Sequence, residues 1–226
     1  MSSDIAKFAT IRPKFPAKLT KTQFSRYSLK MNDNKQLQLS RFLSLVLRHR
    51  PEAIGIRLDR NGWAEVDVLI EAMNQHGRFI DHDTLKQIVA MDNKQRYTFS
   101  HDKKRIRASQ GHSIDIDLNL TPTVPPEILF HGTDSGSIAQ IKQQGLRPQK
   151  RNHVHLSTDL ETAIRIGSRH GKPVVLMVDA KKMYEHGQLF YLSENNIWLT
   201  DSIMPEYLQV FSAVVQPVSS ERLFEN

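Results

Sequence analysis

The 226-residue chain contains no cysteine. It therefore cannot form a disulfide or a thiolate metal site, and it cannot use a cysteine nucleophile. It also lacks any apolar run close to the roughly 20 residues that span a bilayer. Its hydrophobic content of 39% and charged content of 24% are those of a folded globular protein. We expect a cytoplasmic protein without membrane contact, whose length fits one large domain or two small ones.

The net charge of +7 comes almost entirely from one end of the chain. Residues 1–30 contain seven lysines and arginines against a single acidic residue, Asp4. Because this tail contains Pro13 and Pro16 and shows little periodicity, we expect it to be disordered and dispensable for folding. A nucleic-acid contact, a transit peptide and an upstream start all stay open as explanations of its charge. The rest of the chain is nearly neutral, so any anion site there must arise from local placement.

Apolar residues at helical spacing predict three helices in the first half of the chain. The first spans residues 34–48 and ends before Pro51. The second carries apolar residues from Val66 to Met73, and the third follows an N-cap at Asp81 or Asp83.

Two strands, 96–100 and 105–108, follow these helices and are predicted to form a hairpin around a polar turn. Helices followed by a hairpin predict a winged-helix-like lobe over residues 31–120. The polar segment 111–126 ends in P-T-V-P-P and is expected to link this lobe to the next.

The second half of the chain is richer in strands. Ile138 and Ile141 predict a helix that stops at Gly145, and Asp159 is expected to cap another that ends near Gly167. Strands are predicted at 127–133, 153–157, 173–179, 190–193, 197–200 and 207–210. We predict an α+β fold with a second lobe over 126–212 and a C-terminal tail over 213–226.

Ten histidines in a cysteine-free chain raise the question of a metal site. His153 and His155 alternate with Val154, so in a strand both side chains lie on one face, where His131 and His170 could join them. No H-E-x-x-H pattern accompanies them. We therefore expect no metal.

Four groups of basic residues each lie beside an apolar element that fixes their direction. Arginine suits phosphate because its guanidinium is planar, permanently charged and able to donate two parallel hydrogen bonds. The alternative for Arg48-His49-Arg50 is a helix C-terminus, where cations interact favourably with the macrodipole. The groups are Arg48–Arg50, Lys94–Arg96, Lys150–Arg151 and Ser168–Gly171.

The order of the motifs points to a family. S-x-F-L-S-L-V-L-R-H, G-W-A, D-N-K-Q-R-Y, Q-G-H-S, P-P-E-I-L-F-H-G-T, H-V-H-L-S, G-S-R-H-G-K-P-V-V-L and W-L-T closely resemble the RNA 2′-phosphotransferase family, from about Leu39 to Leu208. This resemblance implies an N-terminal winged-helix lobe that binds RNA and a C-terminal lobe of the ADP-ribosyltransferase fold that binds NAD. The chain departs from the pattern at Tyr97, where phenylalanine is common, and at Asn196, where glycine is expected in a turn.

The resemblance also implies the site residues. It makes Arg48, His49, Arg96 and Arg151 the catalytic group, in a cleft between the lobes. Arg50 is not part of that group. The residues implied to line the NAD site are His131, Gly132, Thr133, His155, Leu156, Ser157, Ser168, Arg169, His170 and Gly171.

The implied activity belongs to tRNA splicing or RNA repair and removes a 2′-phosphate from RNA with NAD as co-substrate. An ADP-ribosylated 2′-phospho-RNA forms first, with release of nicotinamide. Transesterification then gives 2′-OH RNA and ADP-ribose 1″,2″-cyclic phosphate, and no metal is needed. Two alternatives stay open: an ADP-ribosyltransferase that caps phosphate ends of nucleic acids, and a non-catalytic winged-helix protein that binds nucleic acid. We expect a monomer.

Overall fold

The computed structural model describes residues 33–169 and 171–211. The predictions for the tails at 1–30 and 213–226, and for His170, lie outside these residues.

Three helices and a small sheet form the first part of the described chain. The helices are α1 (Asp33–Arg48), α2 (Val66–Gln75) and α3 (His82–Ala90). The sheet contains β1 (Ala64–Glu65), β2 (Tyr97–Phe99) and β3 (Arg105–Ala108), paired antiparallel in the order β1-β3-β2. Apart from β1, whose two residues are too few for a periodic signal, these elements lie within about two residues of their predicted positions.

The predicted apolar stripes form the core of this part. Leu43, Val46 and Leu47 of α1 are fully buried against Leu69 and Met73 of α2 in one cluster. The choice between two N-caps for α3 is decided by Asp81, whose carboxylate accepts a hydrogen bond from the Thr84 N–H at 2.8 Å.

The second part contains two three-stranded antiparallel sheets with their own core. Its strands are β4 (Ile128–Asp134), β5 (Val154–Leu156), β6 (Pro173–Asp179), β7 (Tyr191–Leu192), β8 (Trp198–Thr200) and β9 (Leu208–Val210), and its helices are α4 (Ile138–Gln144), α5 (Leu160–Gly167) and α6 (Ala180–Glu185). The sheets have the orders β4-β6-β9 and β5-β8-β7. Two backbone hydrogen bonds between Phe130 and Ser157 join β4 of the first sheet to the end of β5 in the second.

The predicted helix ends in this part are confirmed. Gly145 stops α4 with φ of 75°, and the Asp159 carboxylate caps α5 by accepting from the Thr162 N–H at 2.8 Å. Asn196 has φ of 59°, which explains why glycine is expected at that turn position. The α+β class is confirmed, whereas the winged-helix and ADP-ribosyltransferase assignments of the two parts stay predictions.

The segment expected to be a linker is packed between the two parts rather than free. His112 is buried, its carbonyl accepts from the Asn152 N–H, and the Ser113 N–H donates to the Arg48 carbonyl at 3.0 Å. The Thr123 N–H donates to the Phe190 carbonyl oxygen at 2.8 Å. This segment therefore ties the end of α1 to the start of β5.

Gly132 shows a packing requirement that the motif H-G-T does not reveal. A Cβ at this position in β4 would lie 1.8 Å from the Ala163 carbonyl oxygen in α5, so only glycine lets the helix approach the strand this closely. We predict that Gly132→Ala destabilises the protein by about 1–3 kcal/mol, as overpacking does elsewhere. Chemical denaturation measures the change. At Gly136 an added methyl group meets only the Asp134 side chain, so Gly136→Ala is the control. An unchanged denaturation midpoint for Gly132→Ala would contradict this packing role.

Candidate functional site

The guanidinium of Arg48 is buried without the partners that such a group needs. Only 9% of the residue is exposed, and its Nε and Nη2 atoms have no hydrogen-bond partner among the described residues. Burial lowers its pKa from 12.5 to about 10, which still leaves it charged at neutral pH. A helix dipole favours a cation here but does not satisfy buried donors. The geometry therefore fits a site for an anion.

The two other residues of this motif differ from Arg48. Arg50 is exposed and pairs with Glu52 at 3.5 Å, so the dipole and solvent suffice to explain it. His49 is half-buried, and its Nδ1 lies 2.9 Å from the Ser113 hydroxyl. Partial burial, together with the charges of Arg48 and Arg151, lowers the pKa of His49 below 6.5. The imidazole is therefore mostly neutral at pH 7.

Arg96 enters the site from the loop that precedes β2. The nearly buried carboxylate of Asp92 accepts from the Arg96 backbone N–H at 2.6 Å and from its Nη1 at 2.5 Å. Asp92 thereby fixes both the loop and one edge of the guanidinium. It is a carboxylate at i−4 in D-N-K-Q-R, a pattern that could have identified it from the sequence as the partner of Arg96.

Arg151 and His155 form a pair on the other side of the site. The Arg151 Nη1 donates to the His155 Nδ1 at 2.5 Å. Burial and the charges of Arg151 and Arg48 lower the pKa of His155 to about 3. His155 is therefore neutral, accepts at Nδ1 and carries its proton on Nε2.

His131 lies beside this pair on β4. Its Nδ1 is 3.0 Å from the His155 carbonyl oxygen, which can only accept, so the proton of His131 is on Nδ1. Burial lowers the pKa of His131, which leaves Nε2 as an acceptor. The two histidines thus offer one donor and one acceptor to a ligand.

The four residues of the predicted catalytic group are brought within electrostatic reach of one another. Beyond the effect of burial, Arg96 and Arg151 each lower the pKa of Arg48, and Arg169 lowers that of Arg151. The one carboxylate with a resolved effect on Arg48 is Asp92, and its effect is smaller than the combined effect of the cations and burial. We call Arg48, His49, Arg96 and Arg151 the cation cluster. It draws residues from both parts of the fold.

Structural roles account for several residues of the predicted NAD site. Leu156 is buried in the core, the Ser157 hydroxyl accepts from the Asp159 N–H, and the Ser168 hydroxyl donates to the Ile164 carbonyl. Gly132 packs against α5. The residues whose ligand roles the structure leaves open are His131, Thr133, His155, Arg169 and Gly171.

Two cations near the cluster were not among the predicted site residues. Partial burial lowers the pKa of Lys94, and the charges of Arg169, Arg96 and Arg165 lower it further. Arg165 and Lys94 therefore extend the positive field toward Arg169. The proximity of Arg165 depends on tertiary packing, so no local pattern could have shown it, whereas Lys94 belongs to the basic group Lys94–Arg96 that the sequence already showed.

His153 and His155 line one pocket with His112 and Asn152, which confirms that the alternating histidines share a face. Within residues 33–169 and 171–211, no group of three or more histidine, aspartate or glutamate side chains is placed to hold a metal ion. No helix in the same ranges is long and apolar enough to cross a membrane.

Comparisons with known proteins agree on one family. The family model described as "RNA 2′-phosphotransferase, Tpt1 / KptA family" matches residues 34–202. A protein of Hahella chejuensis named "Probable RNA 2′-phosphotransferase" is 50% identical over 81% of this chain and 99% of its own length. Proteins with the same name from Flavobacterium johnsoniae and Rhodopirellula baltica are 50% and 49% identical, each over 79% of this chain and 98% of their own length.

The electrostatics of His49 can be tested directly. We predict that its imidazole titrates below pH 6.5 in the free protein and that Arg151→Ala raises this pKa, because the substitution removes a positive neighbour. Adding inorganic phosphate should raise it as well. Two-dimensional NMR of histidine side chains measures both shifts, with His101 in the exposed hairpin turn as the reference resonance. A His49 pKa at or above 6.5 in the free protein would contradict the assigned field.

Proposed function

This chain belongs to the Tpt1 / KptA family of RNA 2′-phosphotransferases, and from that premise we propose that it removes the 2′-phosphate of RNA with NAD as co-substrate. The observation that carries the proposal is the cation cluster, in which Arg48 has two buried donors that find no partner within residues 33–169 and 171–211. Membership of the family makes a transferase acting on RNA the expected activity.

The cation cluster matches the charge and shape of a phosphate monoester. Such a group carries about −1.5 to −2 near neutral pH. Three guanidinium groups can surround its oxygens, and each fork can donate two parallel hydrogen bonds. Because Asp92 already occupies one edge of Arg96, the rest of that guanidinium is the part available to the phosphate. A non-catalytic protein that binds nucleic acid has no need for unpaired donors at this depth.

The predicted NAD-site residues whose ligand roles stay open also suit a dinucleotide. His155 offers a donor and His131 an acceptor, both suited to ribose hydroxyls. Arg169 lies close enough to Arg151 to lower its pKa, and its charge suits a pyrophosphate. NAD, when bound there, supplies the ADP-ribosyl group of the reaction.

In the proposed first step, an oxygen of the RNA 2′-phosphate attacks the ribose carbon that bears nicotinamide. The carbon–nitrogen bond breaks, and the electron pair returns to the nitrogen, so nicotinamide leaves neutral. The nucleophile is already ionised and the leaving group needs no proton. This step therefore requires binding and orientation from the cation cluster but no acid or base.

In the proposed second step, the adjacent ribose 2″-hydroxyl attacks phosphorus and the RNA 2′-oxygen leaves. The products are 2′-OH RNA and ADP-ribose 1″,2″-cyclic phosphate. One proton leaves the attacking hydroxyl and one reaches the departing oxygen, so the step is balanced. His49 is the group assigned to carry this proton, and the three arginines stabilise the charge that builds on phosphorus oxygens.

His49→Ala separates the two steps. We predict that the first step continues while the second slows by about 10²–10⁴-fold, the usual contribution of a general acid–base group. ADP-ribosylated 2′-phospho-RNA should then accumulate. A time course with labelled 2′-phosphorylated oligonucleotide and NAD, resolved by gel electrophoresis, measures substrate, intermediate and product.

Control measurements give this test two ways to fail. Arg50→Ala changes the neighbouring exposed arginine and should keep the wild-type time course. Wild-type rates in both steps for a folded His49→Ala protein would remove His49 from the mechanism. A wild-type protein that stops at the ADP-ribosylated species would identify a capping ADP-ribosyltransferase instead.

Replacing Arg48 or Arg151 by lysine tests the guanidinium geometry. Lysine keeps the charge but loses the planar fork. We predict that each substitution lowers the single-turnover rate by about 10–10³-fold, since loss of one preorganised donor costs up to that much. Circular dichroism checks that the variants fold. Rates within twofold of wild type would show that charge alone suffices.

A further inference from the structure

The turn between β7 and β8 reaches from the second part of the fold to the loop that carries Arg96. Ser193 at its start is buried, and its hydroxyl lies 2.9 Å from two acceptors, the Asn195 Oδ1 and the Ile197 carbonyl oxygen. Asn196 completes the turn in the left-handed region. Because the Asn195 Oδ1 faces the Ser193 hydroxyl, the NH₂ group of the same amide faces the first part of the fold. We call residues 193–197 the β7–β8 turn.

The NH₂ group of Asn195 holds the Arg96 loop directly. Its Nδ2 donates to the Lys94 carbonyl oxygen at 3.0 Å, across a separation of 101 residues in sequence. Gln95, between Lys94 and Arg96, has φ of 45°, a conformation that needs support from outside the residue. The loop is thus held on one side by Asp92 and on the other by Asn195.

Glu194 holds the sheet behind the same loop. Its carboxylate lies 2.6 Å from the Nη2 of Arg107, whose side chain is only 11% exposed and whose guanidinium lies over the Trp63 ring at 4.5 Å from the centroid. Arg107 lies in β3 opposite Thr98 of β2, the strand that begins directly after Arg96. Among the described residues, this is the one salt bridge between residues before 111 and residues after 126.

The β7–β8 turn is also connected to the other half of the cation cluster. It leads into β8, where Leu199 is paired with His155 of β5. His155 in turn accepts the hydrogen bond from Arg151. A continuous set of contacts therefore runs from the loop of Arg96, through Asn195 and the β8–β5 pair, to Arg151.

We propose that Glu194 and Asn195 are positioning residues that hold Arg96 at the distance from Arg151 that one phosphate group requires. Neither residue contacts the reacting groups; each acts through the loop and sheet that carry Arg96. The effect on turnover rests on the proposed function, whereas the effect on the loop and on anion binding does not. A displacement of about 1 Å in such a site is enough to lower a rate 10²-fold.

Asn195→Ala, Glu194→Gln and the double variant test the proposal, with Glu127→Gln as the matched control. Glu127 also forms an ion pair in the second part of the fold, with Lys181 at 2.8 Å, but both partners belong to that part. Hydrogen–deuterium exchange should rise in residues 92–97 of the double variant and stay unchanged in α1. Affinity for inorganic phosphate, followed by ³¹P NMR, should fall about threefold to tenfold.

Turnover supplies the readout that a merely structural contact would not move. We expect the double variant to lose about 10–100-fold in kcat for 2′-phosphorylated RNA, whereas the KM for NAD stays within about threefold, because misplacing one catalytic group affects the reaction more than binding elsewhere. The single variants should show smaller changes of the same kind. Asn195→Ala removes one hydrogen bond and so keeps the test available if the double variant does not fold.

Each remaining outcome decides against one of the two ideas. Faster exchange in the loop with unchanged phosphate affinity and kcat would show that the β7–β8 turn holds the loop but does not position Arg96. Unchanged exchange would overturn the contact itself. A wild-type protein without turnover would reject the proposed function, while exchange and phosphate affinity would still decide the positioning role.

Discussion

The structure depends on keeping several positive charges close together without a matching number of negative ones. Arg48 is the extreme case, because its guanidinium is buried and two of its nitrogen atoms have no partner in the described part of the chain. Arg96 and Arg151 add repulsion, and Asp92 offsets only part of it. An uncompensated buried charge destabilises a folded protein by several kcal/mol. The rest of the fold must hold the cluster open for an anion, and a bound anion stabilises the fold in return.

Two contacts between the parts of the fold meet this requirement. One holds the end of α1, which carries Arg48 and His49, and the other holds the loop that carries Arg96. The segment at 111–113 fixes the end of α1, because Ser113 contacts the carbonyl of Arg48 and the imidazole of His49, while His112 contacts Asn152 beside Arg151. The β7–β8 turn fixes the loop of Arg96 in the same way. The first of these contacts ends at Asn152, just before β5, and the second leads into its partner β8, so this pair of strands lies behind both contacts.

Local patterns are enough to predict five of the six described α-helices, the longer strands and several caps, because these depend on spacing and on single side chains such as Asp159. The motif resemblance then identified the residues that tertiary packing brings together. The sequence could not show which residues of a ligand-binding motif are also required by packing. Gly132 appears in a ligand motif, yet the approach of α5 already requires it. The short helix α6 was missed although Asp179 caps it by accepting from the Lys182 N–H, since six residues carry too little periodicity to be recognised. Ser113 and Asn195 act only through residues distant in sequence.

Partial burial and the same field that attracts phosphate together set the protonation of His49. Partial burial and the nearby arginines disfavour a charged imidazole, so His49 is neutral in the free protein and can accept a proton. A bound phosphate brings negative charge to the same position and favours the protonated form. The substrate therefore reverses the electrostatic effect on the imidazole, from disfavouring its protonated form to favouring it. A single imidazole can then accept the proton of the attacking hydroxyl and donate it to the departing oxygen. As pH falls below 6.5, histidines whose folded pKa is depressed take up protons more readily in the unfolded chain, and stability falls with them. Anion binding opposes this loss for His49, and the cluster is therefore most stable when occupied by an anion.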